Sequence, residues 1–434
     1  MCNYTETDIA IIGGGASGLM AAISAGRYLK SNNKKINISI LEKENRVGKK
    51  ILMTGNGKCN ITNTNTSPCY YNNKSFELVD SVLNRFSYKF IIELFEKLGL
   101  VFKEDSLGRV YPYSEQATAV LDVMRIELDR LNIKEICDFN IKALNKKGNY
   151  FIIESDKQNI KAKKLIVATG GKASTLAYKN TDIYSPLQKF GHNITEIFPS
   201  LVQIKTDSNI IKSIKGMRTP AKISVVADKK ILRQEIGELQ FTENALSGIC
   251  AFQISRLISE FFKTNKINTH TYRNVSIIVD LVPYMSEEEL QALINKRVKN
   301  SSDLSLDCFF TGFLNKRIGL AFLKSIGISP LSREVSSLTP KEIKKIINTL
   351  KNWNFNPTGT MPFKNAQVTA GGIKTNEFYK NSLESKKQAG LFACGEVLDV
   401  DGDCGGFNLQ WAWSSGYLAG LTCAKQIIKE EKHA

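Results

Sequence analysis

Nine cysteines are present, and no two of them stand in a CxxC relation; they fall at Cys2, Cys59, Cys69, Cys137, Cys250, Cys308, Cys394, Cys404 and Cys423. The chain therefore lacks the paired thiols of a disulfide reductase. An odd, scattered set in a chain without a secretion signal implies reduced thiols and a cytoplasmic setting. Near the N-terminus, Glu6 and Asp8 precede only a few apolar residues, so no signal peptide is expected there. No apolar run approaches the roughly 20 residues that span a bilayer, and no membrane association is expected. Histidine is scarce as well. His192, His270 and His433 sit in no motif and are expected to be structural or surface residues. No metal site, internal repeat or low-complexity linker is expected.

What is abundant is lysine. The formal charge is +17, which raises the question of nucleic acid. Lysines run along the whole chain beside many Asn and Ile residues, as in a general compositional bias. The densest basic segment, Lys341 to Ile347, has helical apolar spacing with lysines on the other face, as a solvated helix would. No aromatic-studded basic stripe accompanies it, so nucleic acid is not an expected partner. A basic surface would still concentrate anionic small molecules. With 434 residues, 42% of them hydrophobic, the chain should form two or three ordinary globular domains.

The strongest local pattern lies near the start. The apolar strand Asp8 to Ile12 runs into Gly13-Gly14-Gly15-Ala16-Ser17-Gly18 and then an Ala-rich helix from about Leu19. Gly13 permits a tight turn, Gly15 lets a pyrophosphate approach the backbone, Gly18 lets helix pack on strand, and the helix N-terminus offers free N–H groups. A second strand, Ile36 to Leu41, ends in Glu42, placed to accept hydrogen bonds from an adenosine ribose. Strand, glycines, helix, strand and acid in this order make a dinucleotide-binding unit.

Strands and helices alternate through the first half. Phe86 to Leu98 and Gln116 to Leu131 read as amphipathic helices and Ile133 to Ile136 as a strand. Ile141 to Leu144 and Tyr150 to Glu154 read as a hairpin across the loop 145–149. Lys164 to Val167 is a buried strand opening into Thr169-Gly170-Gly171, a strand end that faces the nucleotide in a doubly wound sheet. Beyond Gly191 the texture changes: Ile194 to Gln203, Ala221 to Ala227, Ile231 to Gln240 and Val275 to Val282 read as antiparallel strands, and Ser286 to Lys299 and Lys341 to Trp353 as helices. A last strand ends in Gly395-Glu396. Gly405-Gly406-Phe407-Asn408-Leu409 then opens a helix running to about Lys429.

Two segments, Gly48 to Asn63 and Val368 to Gly420, closely resemble the bacterial flavoprotein family labelled aminoacetone-oxidase-like or BaiN-like, and the resemblance extends over nearly the whole chain. It is more distantly similar to the flavoprotein subunits of succinate dehydrogenase and fumarate reductase, although their substrate-binding His and Arg motifs have no evident match. The resemblance implies an α/β fold: a Rossmann-like FAD-binding domain of the two-dinucleotide-binding-domain type with an inserted β-barrel plus helical substrate domain. The expected boundaries are 1–192 for the first part of the FAD domain, 193–355 for the insertion with its helical part near 284–350, and 356–434 for the second part.

FAD fits better than NAD because three further Gly-rich segments reach the same sheet edge. The expected cofactor-binding set is Gly13, Gly15, Ala16, Ser17, Gly18, Glu42, Lys43, Arg46, Gly48, Lys49, Lys50, Thr54, Gly55, Asn56, Gly57, Cys59, Asn60, Ile141, Thr169, Gly170, Gly171, Gly395, Glu396, Gly405, Gly406, Phe407, Asn408 and Leu409. By resemblance, Arg46, Gly48, Lys49 and Lys50 lie along the pyrophosphate and ribityl side, Ile141 meets the adenine edge through its backbone, and Glu396 faces the ribityl hydroxyls. Gly and Asn in the 54–63 loop suit a left-handed backbone around a planar ring. The glycines before the last helix leave N–H groups to stabilise negative charge on a reduced flavin. Asn408 is also a candidate helix cap, and Cys59 reads as a packing residue whose thiol Lys58 would activate only from nearby. Lys316 and Arg317 read as helix-end charges, and Tyr111, Tyr113 and Arg109 fall in a segment that leads toward the flavin in the family.

The expected activity is that of a FAD-dependent oxidoreductase, an NAD(P)H-fed reductase passing hydride from flavin N5 to a conjugated, enone-type small molecule. No second complete GxGxxG is present, so NAD(P)H is expected as a transient donor. The alternatives are a flavin-dependent oxidase of a small amine and an RNA-associated flavoprotein. Neither a catalytic acid or base nor an oligomeric state follows from the sequence.

Overall fold

The strand Tyr4–Ile12 places Ile9, Ala10, Ile11 and Ile12 out of solvent on both faces, as an unbroken apolar run in a parallel sheet requires. The computed structural model describes residues 4–72, 75–173, 184–207, 209–267 and 270–432; Cys2 and His433 lie outside them. The first strand pairs in parallel with Ile38–Leu41 on one side and Asn159–Val167 on the other. Lys134–Ile136 extends the sheet beyond Ile38–Leu41. The far edge of Asn159–Val167 is shared: its first half pairs antiparallel with Tyr150–Ser155, and its end pairs in parallel with Leu391–Ala393. Four parallel strands thus end side by side at Gly13, Glu42, Ala168 and Cys394, the edge at which doubly wound sheets hold ligands.

Two helices cover this sheet. Ala16–Ser31 follows the first strand, and Phe407–Glu431 closes the chain. Glycines let their backbones nearly touch: a Cβ on Gly416 would lie 2.3 Å from the Ser17 carbonyl oxygen, and one on Gly420 2.1 Å from that of Ala21. A smaller antiparallel sheet of Thr62–Asn63, Arg109–Pro112 and Phe102–Glu104 stands beside them.

Some elements differ from the sequence expectations. The helix expected from Phe86 starts at Tyr88; Phe86 leaves helical geometry and its ring packs against Phe90 and Tyr417. A separate helix, Phe76–Arg85, precedes it. The hairpin pairs as far as Lys147 and Tyr150, so Gly148, with φ +57°, and Asn149 alone make its turn.

Two compact units divide the chain, Met1–Ile197 with Val368–Ala434, and Phe198–Gln367. The second unit holds a seven-stranded antiparallel sheet in the order Trp353–Phe355, Val275–Asp280, Arg218–Ala227, Lys230–Phe241, Ala245–Ser247, Ile204–Thr206, Pro357–Thr360. Of the strand expected over Ile194 to Gln203, only Phe198–Ser200 forms. Helix Ile249–Thr264, not anticipated from sequence, packs on this sheet. Helices Glu287–Asn300 and Pro340–Lys351 both start in capping boxes, from Ser286 and Thr339. In the latter, Ile346 and Leu350 are buried while Lys341, Lys344 and Lys345 face solvent. No described helix is long and apolar enough to cross a membrane.

Candidate functional site

Every expected cofactor residue falls in the first unit, and most converge on the carboxyl edge of its sheet. Gly13, at φ +102°, turns the chain so tightly that a side chain there would strike the Ala168 carbonyl, and a Cβ on Gly18 would lie 1.9 Å from Gly13's oxygen. Gly15 is the N-cap of the first helix with no side-chain cap bond, and the space at its Cβ position is open. Ala16, Ser17 and Gly18 form the first turn. This leaves the positive end of a helix pointing into free space, the arrangement that binds phosphate.

Glu42 stands at the tip of the second strand, beside the Gly13–Gly18 turn. Its carboxylate accepts from the Gly14 N–H at 2.6 Å and the Glu44 N–H at 2.8 Å. Burial pushes its pKa up, and these backbone bonds pull against that rise. The Phe139 N–H donates to the Glu42 carbonyl at 2.8 Å, which sets the start of the Ile141–Lys147 strand beside this corner. Lys43 is partly buried and Arg46 exposed. Gly48 adopts φ +75°, donates its N–H to the Gly14 carbonyl at 2.8 Å, and leaves no room for a side chain against Leu121. Lys49 pairs with Glu44 at 2.7 Å and Lys50 with Glu396 at 2.5 Å.

That second ion pair ties two distant segments together. Glu396 also accepts from the Thr369 N–H at 2.7 Å. A side chain on Gly171 would meet both Thr369 and Glu396, and Gly170 turns at φ +70°. Gly395 turns at φ +75°, and a Cβ there would lie 2.4 Å from Ser17 Oγ. Thr369 was absent from the expected set; its signal was its place in the run Val368 to Ile373.

The 54–60 loop is wound left-handed, as its Gly and Asn content implied: Gly55, Asn56, Gly57 and Cys59 all have φ between +54° and +85°. Thr54 donates to the Ile51 carbonyl at 2.6 Å. Cys59 is fully buried, and burial pushes its thiol up to about 11. Lys58 turns away to Glu115 at 2.7 Å, so it does not activate that thiol. Asn60 reaches the start of the last helix, where a Cβ on Gly406 would lie 2.9 Å from its Oδ1. Gly405 and Gly406 have φ of +129° and +101°, and Gly406 is the N-cap with no side-chain cap bond. Phe407 stacks on Tyr70 with centroids 4.3 Å apart, and Leu409 is partly buried. Asn408 does not cap the helix. Its side chain accepts from the Gly402 N–H and donates to the Gly402 carbonyl, both at 2.8 Å, clamping the approach loop.

Two buried polar atoms here lack any partner among the described residues, Thr169 Oγ1 and Asn60 Oδ1. A buried polar atom left unsatisfied costs about 1–3 kcal/mol, so such atoms call for a ligand. One stands at the end of the Asn159–Val167 strand and the other at the last helix. With two uncapped helix starts and the Glu42 carboxylate, the donor and acceptor set matches a group carrying a pyrophosphate, ribose hydroxyls and a ring with polar edges. FAD fits these residues.

Other candidates lie elsewhere. His192 is buried between Glu377 and Ser385, at 2.9 Å from each, and stacks on Phe378. In the second unit, Arg317 donates to the Ser213 carbonyl at 2.8 Å, and Asn315 caps the helix that Lys316 begins. No group of metal-ligating residues occurs among the described residues.

The HI0933-like protein Rossmann domain family model matches residues 7–422. A 3-dehydro-bile acid delta(4,6)-reductase of Clostridium scindens is 36% identical over 418 residues, covering 96% of this chain and 99% of that protein. A ribosomal RNA dihydrouridine synthase of Haemophilus influenzae is 28% identical over 432 residues, covering 98% and 100%. Among solved structures, a 3-ketosteroid-delta4-(5alpha)-dehydrogenase from Rhodococcus jostii RHA1 superposes with TM-score 0.51 at 14% identity, covering 98% of each chain, a likeness of fold.

Proposed function

This chain belongs to the HI0933-like Rossmann-domain family, and on that premise we propose that it is an NAD(P)H-fed reductase of carbon–carbon double bonds conjugated to a carbonyl. Its coarser class is that of a FAD-dependent oxidoreductase. When bound, FAD supplies hydride chemistry, taking an electron pair from a nicotinamide nucleotide and passing it to an acceptor. Gly13 to Gly18 would hold the pyrophosphate, Glu42 the adenosine ribose, and Lys50, Glu396 and Thr169 the chain between phosphate and ring. The 54–60 loop and Gly405 to Leu409 would hold the ring itself.

The observation that carries hydride chemistry is the uncapped start of the final helix, a 25-residue element whose N-cap, Gly406, has no side-chain cap bond. Free N–H groups there would stabilise negative charge on a reduced ring. The acceptor class is supported by the relatives' names. A 3-dehydro delta(4,6) bile acid carries double bonds in line with a ketone, and dihydrouridine is the product of saturating a uracil double bond next to a carbonyl. Saturating a double bond conjugated to a carbonyl puts hydride on a carbon that conjugation makes electrophilic, β to the carbonyl or δ in a dienone, and the proton goes to a carbon of the resulting enolate. A small-molecule enone is the first reading, because the bile-acid relative is the more similar. A base in ribosomal RNA is the second, favoured by the dihydrouridine synthase relative and the +17 charge.

The test is an anaerobic visible spectrum of the purified protein, before and after NADPH or NADH, followed by a 3-oxo-Δ4,6-steroid carboxylate or a ribosomal RNA fragment. Bleaching by the nucleotide and recovery by the steroid is the expected result. Recovery by RNA alone selects the second reading. A flavin bleached only by a small amine, and restored by air, replaces both with an amine oxidase.

A further inference from the structure

Saturating an enone needs a proton as well as a hydride, and the inference below rests on the reductase reading. Three acid–base candidates near the sheet's carboxyl edge or its Gly-rich turns are already engaged. His192 is locked between Glu377 and Ser385. Glu42 holds two backbone N–H groups, and Glu396 is held by Lys50 and Thr369.

The Tyr111 phenol, beside the proposed ring loops, is uncommitted. Tyr111 sits on the strand Arg109–Pro112, where alternation sends Val110 and Pro112 into the core and leaves Arg109 and Tyr111 half-buried on the opposite face. No hydrogen bond holds its hydroxyl among the described residues. The strand is fixed against the proposed ring loops at both ends. Val110 pairs with Thr62, Asn63 donates to the Gly405 carbonyl at 3.0 Å, and the Tyr111 ring lies 3.8 Å from the Cβ position of Gly55. Tyr111 therefore stands between the left-handed loop and the start of the final helix.

We propose that Tyr111 is the proton donor of the reductive step, giving its hydroxyl proton to the carbon α to the carbonyl of the acceptor. Hydride adds to the β-carbon, the double-bond pair shifts to leave an enolate, and the enolate α-carbon takes the Tyr111 proton. Two electrons and two hydrogens enter the acceptor, the nicotinamide nucleotide is oxidised, and the phenolate regains its proton from solvent. The surroundings suit this cycle. Burial raises the Tyr111 pKa, Asp105 and Cys404 add to that rise, and the phenol is protonated at neutral pH, while Arg109 and Lys58 pull the other way and favour the transient phenolate. Arg109 is itself held by Asp105 at 2.7 Å. Tyr113, two residues on, is 69% exposed and cannot exclude water from a transfer.

The experiment compares wild-type and Tyr111→Phe holoproteins. FAD content, nucleotide bleaching and reoxidation by a 3-oxo-Δ4,6-steroid carboxylate are measured under anaerobic conditions. A general acid contributes about 10²–10⁴-fold. Reoxidation of Tyr111→Phe should therefore slow by about 100-fold or more, with FAD content and bleaching within about twofold of wild type. A second readout needs no turnover: as pH rises and the Tyr111 phenolate forms, oxidised wild-type protein should exchange the α-hydrogens of the saturated ketone in D2O, and Tyr111→Phe should not. Fluorotyrosine at position 111 should move the pH profile of reoxidation downward, which a packing role would not do. Wild-type reoxidation rates in Tyr111→Phe, or an unmoved profile with fluorotyrosine, overturn the assignment. If the wild-type flavin is not restored by the enone at all, the reductase reading falls and this inference falls with it.

Discussion

Thr169 is the sharpest single-residue probe of the proposed cofactor site, because its buried hydroxyl oxygen has no partner among the described residues. In a protein without FAD that hydroxyl costs about 1–3 kcal/mol. Valine has nearly the same shape and no such debt. Thr169→Val should therefore raise the melting temperature of the apoprotein and weaken FAD binding about tenfold, two effects of opposite sign. Thermal melts of apoprotein with and without added FAD would show it; a variant that loses stability in both states would mean the hydroxyl serves the fold instead. Glu42 makes the complementary case. Its carboxylate already holds the Gly14 and Glu44 N–H groups, so Glu42→Ala should loosen the Gly13–Gly18 turn and the ribose corner together. Hydrogen bonds to charged groups contribute about 1.5–3 kcal/mol each, so FAD affinity should fall by about tenfold or more in a fluorescence titration.

At the scale of elements, the closest contact is between the first and last helices. Gly420→Ala would force a methyl against the Ala21 carbonyl oxygen at 2.1 Å. Overpacking of this kind costs about 1–3 kcal/mol, so the urea midpoint should drop while Gly148→Ala, at the open hairpin turn, should move it less. The loop carrying Glu377 gives a pH signature. Burial alone would raise that carboxyl, and hydrogen bonds from Lys387, Asn193 and His192 outweigh it, holding it at about 2. A lowered acid pKa gives stability that is present above the ordinary 4.5 and lost as pH falls toward about 2. His192 is lowered by burial against the pull of Glu377, so the unfolded chain takes its proton first and stability also falls below the ordinary 6.5. Glu377→Gln should cost on the order of 2–3 kcal/mol at pH 7 and flatten the loss between 4.5 and 2. Denaturation midpoints at pH 7, 5.5, 4 and 3 that run parallel in both proteins would refute this account.

The same contrast explains what could be read in advance. The strand, glycine turn and helix at the N-terminus were legible because their determinants lie within 18 residues and act locally. The left-handed 54–60 loop was legible from its Gly and Asn content. The break at Phe86 was not, since apolar spacing continues through it and its end is fixed by ring packing on Phe90 and Tyr417 and by hydrogen bonds from Gln410 and Ser414 to its carbonyl. Nor was the role of Asn408 as a clamp on Gly402 rather than a cap, since a polar side chain at a helix start reads the same in either case. Tyr111 was placed by resemblance in a segment leading toward the flavin, and its face follows from Val110 pairing with Thr62; Thr369 is set by its N–H donating to the Glu396 carboxylate, a tertiary contact local sequence does not announce.

The whole molecule carries +17, and that field acts at a distance on whatever charged species approaches. At about 10 mM salt the screening length is about 30 Å, and at 0.1 M about 10 Å. Long-range attraction should therefore reach an anionic donor at low salt and fade as salt rises. The expected outcome is a kcat/KM for NADPH that falls about tenfold between 10 and 300 mM salt. NADH, with one phosphate fewer, should fall less steeply, and a neutral enone should change by less than about twofold. Stopped-flow bleaching and reoxidation separate these steps. If the neutral acceptor responds as steeply as NADPH, salt is acting on the fold and the field is not steering the donor. An RNA acceptor would show a third pattern, binding that weakens as a high power of salt because counterions are released. The slope for each ligand thus reports whether the lysines serve the nicotinamide nucleotide alone or the acceptor as well.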